Sequence, residues 1–159
     1  MPPYPHIQDQ IYRWSLLSAA AGMAVETIAW LFLPASRWRA VGEGWTLISL
    51  GVAGWTFLVW LRSWRILVRG LVTSGALVAP FLPVVGWAFG LSGAAIMAAK
   101  ETHCFHFRAG RIIPWYTLAL GVTMLIPRPA LVEGLGWLGL ASLWTWLVAA
   151  RWQLPLFEI

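Results

Sequence analysis

The chain is 159 residues long, 60% hydrophobic and only 11% charged, against about 25% charged in a typical globular chain. That balance, with a mean hydropathy of +0.72, excludes an ordinary water-soluble domain and makes lipid the natural solvent for the excess apolar surface. A formal charge of +5 would suggest nucleic acid in a soluble protein, but these arginines lie in short segments between apolar runs. No basic face with interleaved stacking aromatics lies outside those runs, so membrane topology explains the charge and nucleic-acid binding is not expected.

In chain order, residues 1–10 carry no basic region and no small-residue cleavage site. They read as a short polar arm stiffened by three prolines, not as a signal peptide. Six apolar segments follow, near residues 14–33, 45–61, 66–78, 84–99, 112–126 and 131–149. The predicted fold is all-α, a polytopic helical membrane protein. It forms one domain over residues 1–159, a compact bundle of about six transmembrane helices with short loops. Several segments fall short of the roughly 20 residues a crossing helix needs. Extension into the arginine-rich flanks makes up the difference, because arginine can snorkel. The alternative for the third and fourth segments is one re-entrant hairpin around Pro80 and Pro83.

With six spans, Arg13, Arg62, Arg65, Arg69, Lys100, Arg108, Arg111 and Arg151 fall on one side of the membrane, and Arg37, Arg39 and Arg128 on the other. The excess predicts that both termini and the Lys100–Arg111 loop are cytoplasmic, or stromal in an organelle. Thirteen tryptophans suit the membrane–water interface. Small residues recur at helical spacing, as Ser15, Ser18, Gly22 and Glu26, as Gly86, Gly90, Gly93 and Met97, and as Gly139, Ser142 and Thr145. Such faces allow helix backbones to approach closely where no hydrophobic effect drives association.

Chemistry-bearing residues are few. Glu26 is the acidic residue that reads as deepest in a span, where a carboxylate is costly and must be protonated, paired or hydrated. Its small-residue face points it into the bundle, with Thr123 the best match in depth. It is a candidate proton, cation or pigment site, or packing glue between helices. Lys100, Glu101, Thr102, His103, Cys104, Phe105 and His106 gather the only lysine, the only cysteine and two of the three histidines. His103, Cys104 and His106 suggest a metal by residue type, but H-C-x-H is too cramped for a structural zinc and no metal site is expected. One of the histidines, or Glu26, is a candidate ligand for a bound haem or chlorophyll. Without a cofactor, the histidines cap the end of the fourth span as cations. Lys100 and Glu101 could form a buried ion pair that fixes helix register, or an interfacial pair in the headgroup layer. Adjacent residues do not face each other on a helix, however, so each is expected to seek a different partner, with Arg62, Arg65, Arg69, Arg108 and Arg111 available to Glu101 or to anionic lipid. No GxSxG, HExxH, phosphate-binding glycine loop or pair of membrane carboxylates is present, so an enzyme is not expected.

Around this stretch the run Ser92-Gly93-Ala94-Ala95-Ile96-Met97-Ala98-Ala99-Lys100-Glu101-Thr102-His103-Cys104-Phe105 resembles a G-x-x-x-K-E-x-x-C-F signature. That signature is associated with a family of uncharacterised integral membrane proteins of cyanobacteria and plastids, domain of unknown function 2301. Ile11-Tyr12-Arg13 before the first span, the arginine-containing turn after the second and the apolar fifth span are similar to the same family. The likeness covers most of the chain in pattern and some ten residues in identity. The resemblance implies a photosynthetic membrane and no assigned reaction. The functional expectation is a non-catalytic accessory subunit or assembly factor of a larger membrane complex, embedded in membrane lipids of the plasma or thylakoid membrane. Lys100, Glu101, His103, Cys104, Arg108 and Arg111 would form its docking end. A tetrapyrrole- or metal-binding protein using His103, His106 or Glu26 is the first alternative. A small transporter is the second, although no inverted repeat with paired broken helices supports it.

Overall fold

The structure, a computed structural model, describes residues 5–155. The first four residues of the expected polar arm lie outside the described residues. Six α-helices follow one another, α1 His6–Phe32, α2 Trp38–Thr56, α3 Arg62–Val78, α4 Pro83–Phe105, α5 Arg108–Thr123 and α6 Ala130–Trp152. The rest of the expected arm is therefore helical from His6. Three helices, α1, α4 and α6, are long and apolar enough to cross a membrane. At 1.5 Å per residue, α1 with 27 residues reaches about 40 Å. α2, α3 and α5, with 19, 17 and 16 residues, do not meet that standard.

Each helix packs on its chain neighbour, and α6 returns to α1, so the six close into a ring that α2 and α4 also bridge. The middle is filled by large side chains. Trp87 of α4 and Trp137 of α6 meet at 4.4 Å between ring centroids, and the buried Trp144 donates its indole N–H to the Leu16 carbonyl at 3.1 Å. Outward faces stay apolar, with Ile48, Leu118 and Trp115 all exposed.

Glycine sets the closest approaches. A Cβ on Gly22 would come within 2.8 Å of the Thr46 backbone nitrogen, and one on Gly75 within 2.7 Å of the Gly90 nitrogen. α1 and α2, and α3 and α4, therefore pack backbone to backbone. Of the expected small faces, Ser15, Gly22 and Glu26 are buried, as are Gly86, Gly90, Gly93 and Met97, while Ser142 and Thr145 are exposed. The hydroxyls of those two bond back to Leu138 and Ala141 of their own helix.

Among the helix C-terminal ends, those of α2 and α4 depart furthest from the sequence reading. The second apolar run was expected to continue to residue 61, but α2 stops at Thr56 and residues 57–61 are not helical. The Thr56 hydroxyl donates to the Val52 carbonyl at 2.8 Å. Arg69 takes the Trp55 carbonyl at 3.1 Å and Gln8 the Thr56 carbonyl at 3.2 Å. Carbonyls that the next turn would have used are thus satisfied from α3 and α1. The fourth run continues instead past Ala99, so Lys100 to Phe105 form the last turns of α4. α4 starts beside Glu43, whose carboxyl meets Trp87, and ends in the layer of Asp9, Glu101 and Arg151 at the other end of the ring. It runs the full height of the bundle, unlike an arm of a re-entrant hairpin.

Candidate functional site

Two layers of charge close the two ends of the ring. Asp9 and Glu26, which mark them, lie about 25 Å apart along α1 at 1.5 Å per residue, with a mainly apolar interior between that holds a few buried hydroxyls such as Thr46 and Ser49.

The first layer joins α1, α4 and α6. Asp9 is fully buried, receives Arg13 Nε at 2.8 Å on one carboxylate oxygen and is bonded by Arg151 on the other. Asp9 and Arg13 share a helix face because they are four residues apart. Arg13 also holds the Leu154 carbonyl at 2.8 Å, which ties the chain after α6 to α1. Arg151 reaches Glu101 at 3.5 Å, and Glu101 takes Lys100 Nζ at 3.0 Å. Aromatic rings pack around the cations. Lys100 lies 5.7 Å from Tyr12, 5.7 Å from Phe57 and 5.4 Å from Phe105, and Arg151 lies 4.6 Å from Phe105, within cation–π range.

This corrects two expectations. Lys100 and Glu101 do pair with each other, because Glu101 points into the ring while the long lysine side chain bends back over the same end. The arginine partner of Glu101 is Arg151, not one of Arg62, Arg65, Arg69, Arg108 or Arg111. Glu101 has no exposed surface, so the docking role expected of it has no access to a partner.

Around this layer the end of α4 is exposed. His103, Cys104 and His106 face outward, as do Arg108 and Arg111 on α5. His106 terminates α4 with φ 59°, the left-handed conformation in which glycine is usual and histidine tolerated. Its backbone N–H bonds to the Thr102 carbonyl at 2.8 Å, and the Thr102 hydroxyl bonds to the Phe107 carbonyl at 3.1 Å. A Cβ on Gly110 would strike that hydroxyl, so glycine there lets α5 fold back against α4. His103, Cys104 and Lys100 line one side of a groove of about 450 Å³, with Phe57, Val59, Leu61 and Trp64 opposite. Among the described residues, no three His, Cys, Asp or Glu side chains converge as a metal site.

The second layer contains Glu26. It belongs near the far end of α1 rather than mid-span, one to two turns before Phe32. The Trp30 indole donates to Glu26 Oε1 at 3.0 Å, and Arg39 stacks over the same indole at 3.5 Å. Thr123, expected as its neighbour, bonds to the Leu120 carbonyl instead. A Cβ on Gly42 would lie 2.6 Å from Glu26 Oε2, so glycine at that position makes room for the carboxylate. Glu133 of α6 pairs with Arg128 at 2.6 Å. The second oxygens of Glu26 and Glu133 are buried and have no hydrogen-bond partner among the described residues.

Asp9, Arg13 and Arg151 were missed as members of a site. The Asp9–Arg13 spacing is visible in the sequence, since Asp9 is the only aspartate and has an arginine four residues on. Nothing local links either to Arg151. No family model, curated protein or solved structure matches the chain.

Proposed function

We propose that all six helices cross the bilayer with both termini on the cytoplasmic or stromal side. We further propose that the protein works without catalysis, as an accessory subunit or assembly factor of a larger membrane complex. One observation carries this reading, the division of polar side chains at the first charged layer. Asp9, Arg13, Lys100, Glu101 and Arg151 turn inward and bind helices to one another, while His103, Cys104, His106, Arg108 and Arg111 stand exposed around them. A rigid ring with a cationic rim is suited to dock on an acidic surface of a partner.

The six-span reading is supported by the exposed apolar residues of the shorter helices, Ile48 on α2, Leu77 on α3 and Leu118 on α5. These helices measure about 24–28 Å at 1.5 Å per residue, close to the roughly 30 Å of the hydrocarbon. The orientation is supported by the excess of basic residues at that end. A photosynthetic membrane as the setting rests on the family resemblance centred on Ser92–Phe105 alone.

After mild detergent extraction from its own membrane, the protein should migrate in native gels well above its own 17.7 kDa. Arg108→Glu combined with Arg111→Glu should return it to the size of the free protein with helix content unchanged by circular dichroism. Migration unaffected by the charge reversal would contradict the docking role. A visible absorption band from a tetrapyrrole, lost on His103→Ala or His106→Ala, would replace it with the cofactor reading.

A further inference from the structure

The groove between α4 and the segment that joins α2 to α3 has walls of two kinds. Val59, Leu61, Trp64 and Ile96 make it apolar, and Lys100 and His103 supply its polar side. Leu61 and Trp64 are themselves exposed beside it, so the groove opens sideways from the bundle, where acyl chains lie if the helices cross the bilayer. It is also level with the first charged layer, where α4 ends, and with Trp60, which is 89% exposed. Tryptophan at this height is the usual marker of the headgroup region.

Among the described residues the ion-paired layer is unbalanced, with three cations, Arg13, Lys100 and Arg151, against two anions, Asp9 and Glu101. Both arginines are buried, with relative exposures of 5% and 2%. Lys100 is the cation that reaches the groove, its side chain 11% exposed. An ammonium has three donors, and the structure gives Lys100 one hydrogen bond, to Glu101. The excess positive charge of the layer is therefore presented at the end of an apolar, laterally open groove. Arg62, exposed at the first turn of α3, follows Leu61 of the groove wall in sequence.

We propose that this groove is a site for one anionic glycerophospholipid, with its phosphodiester at Lys100 and an acyl chain along Leu61, Trp64 and Ile96. The requirement for a chain as well as a charge separates it from a soluble phosphate site. The requirement for the charge separates it from the ordinary annular lipid that covers the other apolar faces. The site depends on the transmembrane reading and not on the accessory role. A protein that binds no partner complex can still hold the lipid.

The test uses the full chain in detergent, titrated with dioleoylphosphatidylglycerol, dioleoylphosphatidylcholine with the same chains, or inorganic phosphate. Native mass spectrometry should give a one-to-one phosphatidylglycerol adduct that survives activation. The anionic lipid should bind about fivefold more tightly than the zwitterionic one, the usual effect of one basic residue at a lipid surface. Ala99→Trp, which fills the groove from α4 and leaves every ion pair of the layer in place, should abolish the adduct. Lys100→Arg should retain the selectivity, and Lys100→Met, if it folds, should lose it. Equal binding of the two lipids, an adduct that persists in Ala99→Trp, or an equal response to inorganic phosphate would each overturn the proposal. A tetrapyrrole found in the groove of the purified protein would also overturn it.

Discussion

Asp9 is the link between α1 and α6 in the first charged layer. Its carboxylate is wholly buried and joins two arginines from opposite ends of the sequence. Its removal would take the closest counter-charge from both arginines, leaving Arg13 to backbone carbonyls and Arg151 to the more distant Glu101, and breaking a buried pair in this way costs about 3–5 kcal/mol. Asp9→Ala should therefore lower the unfolding midpoint in detergent steeply, and Glu101→Ala should do likewise by taking from Lys100 its carboxylate partner and from Arg151 its second one. Glu26 should behave differently, although it looked the more important residue in the sequence. One of its oxygens accepts from Trp30 and the other has no hydrogen-bond partner among the described residues. Glu26→Gln keeps the acceptor, so stability should change by less than about 1 kcal/mol. A loss in Glu26→Gln as large as that in Asp9→Ala would assign Glu26 an obligatory charge. Sequence reading ranked these residues the other way because depth along a span is legible, whereas the partner 142 residues away that makes Asp9 central is not.

At the level of the helices, glycine separates contact faces from free ones, and the two kinds make opposite predictions. Gly44 and Gly51 on α2 have nothing within 4 Å of a would-be Cβ. Gly44→Ala or Gly51→Ala should gain up to about 1 kcal/mol in helix propensity. Gly22→Ala instead drives a methyl into the backbone of Thr46 and should lose about 1–3 kcal/mol, the range for overpacking a close-fitted contact. Thermal unfolding of the three variants, measured side by side, checks both signs. Helix number and order were readable from apolar runs separated by proline and arginine. Helix ends were not. The run through residues 45–61 stays apolar throughout, and α2 stops at Thr56 because Gln8 and Arg69, from other helices, occupy its last carbonyls. Lys100 to Phe105 looked like a loop because charge and histidine cluster there. They remain helical because Glu101 finds its counter-charges inside the ring, Lys100 beside it and Arg151 on α6.

For the whole molecule, the proposed arrangement is a transmembrane ring, with its two charged layers on opposite sides of the bilayer. Composition and the run of apolar segments made the six-helix bundle legible, and the excess of basic residues is the ground of the proposed orientation. The closure of α6 onto α1, and with it the inward ion network, depends on contacts between distant residues that no local pattern encodes. Cys104, the only cysteine, is exposed at the end of α4, and Ala35 is exposed in the turn between α1 and α2 at the opposite end. In sealed vesicles of known orientation, a membrane-impermeant thiol reagent should label Cys104 from the cytoplasmic side without unfolding. In a Cys104→Ser background, Ala35→Cys should be labelled from the other side only. Labelling of both positions from the same side would contradict the six-span bundle and the orientation built on it.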